Sequence, residues 1–145
     1  MELINEFRDE YYFLSNFYDC TVLYEGILYK SSEAAFQAQK CSSEEEKQKF
    51  SAYDPDQAKH HGKRVKPFDS AAWNEKRMKV MYNVVYAKFT QHPDLAQKLI
   101  DTGDAILEEG NSWNDLYWGV DAKTRQGSNH LGRILMRIRK ELKEQ

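Results

Sequence analysis

The chain has 145 residues, 41% hydrophobic and 30% charged, a size and balance that suit one soluble globular core rather than a disordered or fibrous chain. Its 21 basic and 23 acidic residues leave a net charge of −2, which is not the footprint of a protein that grips duplex nucleic acid through its general field. No apolar run is long enough to span a bilayer, and Met1–Glu6 lacks a basic stretch followed by an apolar core, so a secretory signal is not expected. Cys20 and Cys41 fit no CxxC or Cys/His metal spacing; two free thiols and a cytoplasmic location are the expectation.

Nothing in the composition divides residues 1–145, which read as a single domain. Residues 3–30 read as short β elements, with Thr21–Tyr24 and Ile27–Tyr29 separated by Glu25-Gly26, a hairpin turn. From Ser32 the spacing turns helical, and Ala34, Ala38 and Cys41 give a face of small residues. Glu44–Ala52 predicts a charged second helix, and Asp54-Pro55 opens a third. In a segment from 59 to 66, Lys59, His60, His61, Lys63, Arg64 and Lys66 crowd together, either as a solvated surface or as a phosphate-facing patch.

Trp73–Phe89 is the longest predicted helix, with Met78, Met81, Val85 and Lys88 or Phe89 on its core stripe. His92-Pro93 starts another that Thr102-Gly103 ends, residues 104–128 are mixed, and His130–Leu142 forms the last helix. Strands followed by helices predict an α+β fold, mainly helical, with a small β-sheet near the N-terminus.

Three segments could carry chemistry. In Ser32–Lys40, Glu33, Phe36, Gln37 and Lys40 share one side, the charges about 10 Å apart along the axis. A carboxylate in the first turn is favoured in its ionised form by the helix dipole, which suits an electrostatic stabiliser or a base more than a proton donor. Dipole complementarity alone would also place an acid at the start and a lysine at the end. The second segment, Glu108–Gly119, gathers Trp113, Trp118, Asn111, Asn114 and Asp115, and reads equally as a stacking loop or a core loop. The third, Gly127-Ser128-Asn129-His130-Leu131-Gly132, leads into the last helix, where free N–H groups would suit an anion; plain helix initiation accounts for it as well. There is no Walker loop, GxGxxG or HExxH, and no metal site is expected.

Together these pieces resemble the YbiA-like, or NADAR, domains. The matching residues are Phe7-Arg8-Asp9-Glu10-Tyr11-Tyr12-Phe13-Leu14-Ser15-Asn16-Phe17, Tyr29-Lys30-Ser31-Ser32-Glu33, Ala35–Lys40, Trp73, Met81, Lys88-Phe89, Thr102-Gly103, Leu107-Glu108, Asn111, Asp115, Trp118-Gly119, Gly127, Asn129, Leu131-Gly132 and Leu135-Met136. The resemblance implies an N-glycosidase needing no cofactor or metal. It acts on a small ribosyl phosphate, the ribosylaminopyrimidine phosphates of riboflavin synthesis, or on ADP-ribose attached to guanine in nucleic acid. A non-catalytic ADP-ribose or NAD reader is the remaining alternative.

In that framework Glu33, Lys40 and Asp115 are the implied catalytic residues. Glu33 stabilises charge at C1′, Lys40 captures the opened sugar as a Schiff base, and Asp115 holds a hydroxyl or the leaving amine. Trp73 and Trp118 are implied to stack on the substrate. Arg8 and Asn129, with the helix start at Gly127, are implied to bind phosphate; Asn16 and Gly119 complete the implied binding set.

Overall fold

The computed structural model describes residues 2–145. The chain folds as two compact units, one built from Asn16–Gln91 and the other from the residues up to Ser15 together with His92–Gln145.

In the Asn16–Gln91 unit, Val22–Tyr24 (β1) and Ile27–Tyr29 (β2) form an antiparallel hairpin with Val22 opposite Tyr29. Glu25 and Gly26 both take positive φ, 48° and 86°, the geometry that a two-residue hairpin turn demands. Ser32–Ala38 (α1) follows, capped by the Ser31 hydroxyl, which accepts the Ala34 N–H at 3.1 Å. Glu44–Lys49 (α2) carries three acids in its first turn and two lysines in its last, then tightens into a 3-10 turn over Phe50–Ala52.

Pro55–Gly62 (α3) begins with a full capping box between Asp54 and Gln57. Ser70–Gln91 (α4) is the longest element. Its last side chain, Gln91, accepts from the Leu23 N–H at 2.8 Å and donates to the Leu23 carbonyl at 2.7 Å, so one amide serves the open edge of β1 as a strand would. The buried residues of this unit include Val22, Tyr29, Ala34, Ala38, Phe50, Ala58, Met81, Val85 and Phe89. The small face expected on α1 is therefore real: Ala34, Ala35 and Ala38 are wholly buried. Lys88 is wholly buried as well, with its ammonium 5.6 Å from the Tyr18 ring centroid and 5.1 Å from that of Phe89.

In the other unit, Leu3–Ile4 (β3 in order of description) pairs in parallel with Ile106–Leu107 (β4), and Gly110–Asn111 (β5) pairs in parallel with Val120–Asp121 (β6). Between β3 and Ser15 the chain makes a 3-10 helix over Asp9–Leu14 where short β elements were expected. Pro93–Asp101 (α5) ends at Thr102, and Gly103 reverses the chain at φ 66°. His130–Lys143 (α6) buries Leu131, Ile134, Leu135 and Ile138 on one stripe. The α+β class holds. The β structure among the described residues is three two-stranded pairs, however, and only the β1–β2 hairpin matches the N-terminal sheet expected. The other two pairs are dipeptides, too short to show a period of two in the sequence.

Candidate active site

The Asn16–Gln91 unit brings together Asn16, Glu33, Lys40 and Trp73. Asn16 is buried and makes hydrogen bonds within this unit. Its carbonyl accepts the Glu33 N–H at 3.1 Å, its Oδ1 accepts the Ser32 hydroxyl at 2.9 Å, and its Nδ2 donates to the Met81 sulfur at 3.3 Å. Asn16 thus ties the start of α1 to Met81 on α4, a positioning role beside the substrate contact that the resemblance implies for it.

Glu33 stands in the first turn of α1, only 9% exposed, and Oε2 accepts from Gln37 Nε2 at 2.9 Å one turn on. That bond sets which way the Gln37 amide points: its nitrogen faces the carboxylate, and Oε1 is buried without a hydrogen-bond partner. Oε1 lies against Gly62, the last residue of α3, where a Cβ would collide with it. Glycine is needed there for the close approach of α3 to α1.

Lys40 falls just past the end of α1. The α-helical bonding closes at Ala38, and the Lys40 N–H donates to the Gln37 carbonyl at 3.1 Å in a tighter turn. Its Nζ donates to the Gly62 carbonyl at 3.5 Å and lies 5.9 Å from the centroid of Trp73. Burial lowers the Lys40 pKa, the Glu33 charge raises it, and Lys63 lowers it. Trp73 is itself buried and packs on Phe36, with ring centroids 5.2 Å apart and planes tilted by 55°. An anionic group, an amine made less basic by burial and an indole thus line one side of one short helix. This set can stabilise cationic charge on a sugar and supply an amine nucleophile.

The other unit gathers Asp115, Trp118, Gly119, Gly127 and Asn129. Asp115 Oδ1 accepts the N–H groups of Trp118 at 3.0 Å and Tyr117 at 3.3 Å, and the Asp115 backbone is clasped on both sides by the buried Asn111 amide at 2.9 and 3.0 Å. Trp118 is half-buried, edge-on to Tyr117 at 4.7 Å, with His130 also beside it. Arg8 lies at the exposed start of the 3-10 helix.

The anion cradle expected at Gly127–Leu131 does not form. The N–H groups of Ser128, Asn129, His130 and Leu131 donate to the carbonyls of Leu116, Gly119, Tyr117 and Trp118, at 2.8 to 3.1 Å. Asn129 sits at φ 52°, its Oδ1 accepting from the Glu109 N–H at 3.1 Å and its Nδ2 donating to the Leu107 carbonyl at 2.9 Å. Gly127, at φ 143°, passes so close to Gly119 and Val120 that a Cβ would strike both. These residues lock the Trp118 loop onto α6, and a phosphate would have to displace four backbone hydrogen bonds to sit there.

Among the described residues no cluster of three or more His, Cys, Asp or Glu side chains could hold a metal ion, and no helix is long and apolar enough to cross a membrane. The family model of the NADAR domain matches residues 4–143. The chain belongs to the NADAR domain family. Similar NADAR proteins include the N-glycosidase YbiA of Escherichia coli, 35% identical over 136 residues, which cover 92% of this chain and 83% of YbiA. The NMR structure of Escherichia coli YbiA superposes with a TM-score of 0.86 at 34% identity, covering 99% of this chain and 86% of that one. A riboflavin biosynthesis protein of Vibrio vulnificus is 39% identical over 133 residues, 91% of this chain; the match spans only 36% of that longer protein.

Sequence reasoning missed Gly62 as the wall behind Gln37, and it missed Phe68 and Lys76 beside Trp73. Only Lys76 had a local signal, lying three residues after Trp73 on the same helix.

Proposed function

We propose that this NADAR domain is an N-glycosidase that hydrolyses the C1′–N bond of phosphorylated ribosylaminopyrimidines and releases ribose 5-phosphate. The observation that carries the reading is a pair of groups from one stretch of chain, the Glu33 carboxylate in the first turn of α1 and the Lys40 amine just past its end, which interact through charge, with the amine beside Trp73. The names of two relatives support it from separate directions, one an N-glycosidase and the other a riboflavin biosynthesis protein.

As the C1′–N bond breaks, its electron pair leaves with the nitrogen and positive charge builds on the sugar. The Glu33 carboxylate stabilises that charge, and its hydrogen bond from Gln37 keeps it aimed. Water supplies the hydroxyl that ends on C1′ and the proton that ends on the departing amine. When the sugar opens to its aldehyde, the neutral Lys40 amine adds to C1′ and expels water as a Schiff base, which a second water hydrolyses to restore both amine and aldehyde. Trp73 stacks on the substrate beside these groups. In the other unit, Asp115 accepts the backbone N–H of Trp118 and holds that residue in place.

The test is to incubate the protein with the ribosylaminopyrimidine phosphate and, separately, with an oligonucleotide bearing ADP-ribosylated guanine, alongside Glu33→Gln. Release of ribose 5-phosphate by the wild type alone supports the reading. Release of ADP-ribose from the oligonucleotide only would move the activity to nucleic acid. Binding without release from either would make the domain a reader instead of an enzyme.

A further inference from the structure

Beside Trp73 lies a cavity of about 360 Å³ whose wall includes Lys40, Phe68, Asp69, Trp73 and Lys76. Asp69, Trp73 and Lys76 fall at i, i+4 and i+7 on and just ahead of α4, so one helix face supplies one side of that wall. Two ammonium groups converge on the same indole: Lys40 Nζ is 5.9 Å and Lys76 Nζ 5.8 Å from the Trp73 ring centroid. Among the described residues neither lysine is held in an ion pair. The one acid on the wall, Asp69, accepts the Ala72 N–H at 3.1 Å as the helix cap. Phe68, 43% exposed, flanks the opening.

A wall that carries two lysine amines and a single carboxylate favours a guest anion. The volume is also within the range that holds a sugar phosphate. The four engaged amides at the start of α6 leave the phosphate unassigned there.

We propose that this cavity receives a ribosyl phosphate with its C1′ end at Lys40 and its phosphate monoester at Lys76, which makes Lys76 the residue that selects phosphorylated substrates. The inference rests on the glycosidase reading only in placing C1′ at Lys40. Lys76 touches the phosphate and not the reacting bond, so it acts on affinity. A dianionic monoester gains more from a compact ammonium charge than the uncharged sugar does.

The experiment is titration calorimetry of the whole protein with ribose 5-phosphate, ribose and ADP-ribose, comparing wild type with Lys76→Ala, Lys76→Arg and Arg8→Ala, each checked for unchanged thermal unfolding. The expected result is a roughly tenfold or greater loss of ribose 5-phosphate affinity in Lys76→Ala. Ribose binding should be unchanged, and Lys76→Arg should recover most of the loss. In turnover, Lys76→Ala should raise KM with little change in kcat. Wild-type affinity in Lys76→Ala, loss in Arg8→Ala instead, an effect confined to ADP-ribose, or no saturation of the wild type by ribose 5-phosphate would each overturn the assignment. Binding that depends on Lys76 without any hydrolysis would keep the subsite and remove the glycosidase reading. Hydrolysis with an unaltered KM in Lys76→Ala would do the reverse.

Discussion

The backbone carbonyl of Asn16 accepts the N–H of Glu33 at 3.1 Å, tying the first turn of α1 to a residue seventeen positions earlier. The same asparagine accepts the Ser32 hydroxyl through its side chain and anchors to Met81 on α4. The backbone of Glu33 is therefore tied to a buried polar residue.

Asn16→Ala should remove the closer acceptor of the Ser32 hydroxyl, at 2.9 Å, leaving the Asn16 carbonyl at 3.4 Å, and cost roughly 1–3 kcal/mol of stability. Because the lost side chain also ties the start of α1, where Glu33 stands, to Met81 on α4, kcat should fall more than KM rises. Urea unfolding and steady-state kinetics on the same preparation check both parts; a variant with lowered stability and unchanged kcat would leave Asn16 as a purely structural residue.

Lys40 gives a pH dependence with a definite sign. Burial holds its pKa below the ordinary lysine value, so the neutral amine accumulates at lower pH than on a free lysine, and Schiff-base capture should rise with pH and level off early. Glu33 opposes this shift and Lys63 reinforces it. Glu33→Gln should move the Lys40 titration to lower pH, and Lys63→Ala should move it to higher pH. Borohydride trapping of a small aldehyde at Lys40, followed by mass spectrometry across pH, reads both shifts. Movement of the two variants in the same direction would contradict the arrangement.

Lys88 supplies a stability signature. Burial lowers its pKa to about 8, against 10.5 for a lysine in the unfolded chain. Between those values the unfolded state binds more protons than the folded one, so the contribution of Lys88 to stability rises with pH across that window, by about 3 kcal/mol in all. Below pH 8 both states are protonated and the full cost of the buried charge remains. Urea unfolding of wild type and Lys88→Met from pH 7 to 10.5 should show a gain in the wild type that the variant lacks; parallel curves would exclude it.

Gly62→Ala should destabilise the chain by roughly 1–3 kcal/mol, since the added methyl meets Gln37 Oε1 head-on. The displaced Gln37 would also loosen its bond to Glu33. If that collision is the cause, Gln37→Ala combined with Gly62→Ala should be far less damaged than the two single effects add up to. A double variant whose losses simply add would place the strain elsewhere.

Much of this was legible in the residues themselves. Ser31, Asp54 and the Glu25-Gly26 turn announce their elements through local chemistry, since a cap or a tight turn is decided by groups within four residues of one another. The shared side of Glu33, Gln37 and Lys40 follows from helical spacing for the same reason. The 3-10 helix over Asp9–Leu14 was not legible, because its aromatic, β-favouring Tyr11-Tyr12-Phe13 overrides the periodicity cue.

The sequence by itself determined the α+β class, the helix that carries Glu33 and Lys40, and the family through the order of its motifs. The tertiary structure alone decided what surrounds Asn16, Asn129 and Lys76. Asn16 bonds to residues 16 and 65 positions away, Asn129 to residues 20 and 22 positions away, and Lys76 joins Lys40 only because both reach the same indole. Whether a polar group faces a ligand or is used up inside the protein depends on such distant partners, and no local pattern encodes them.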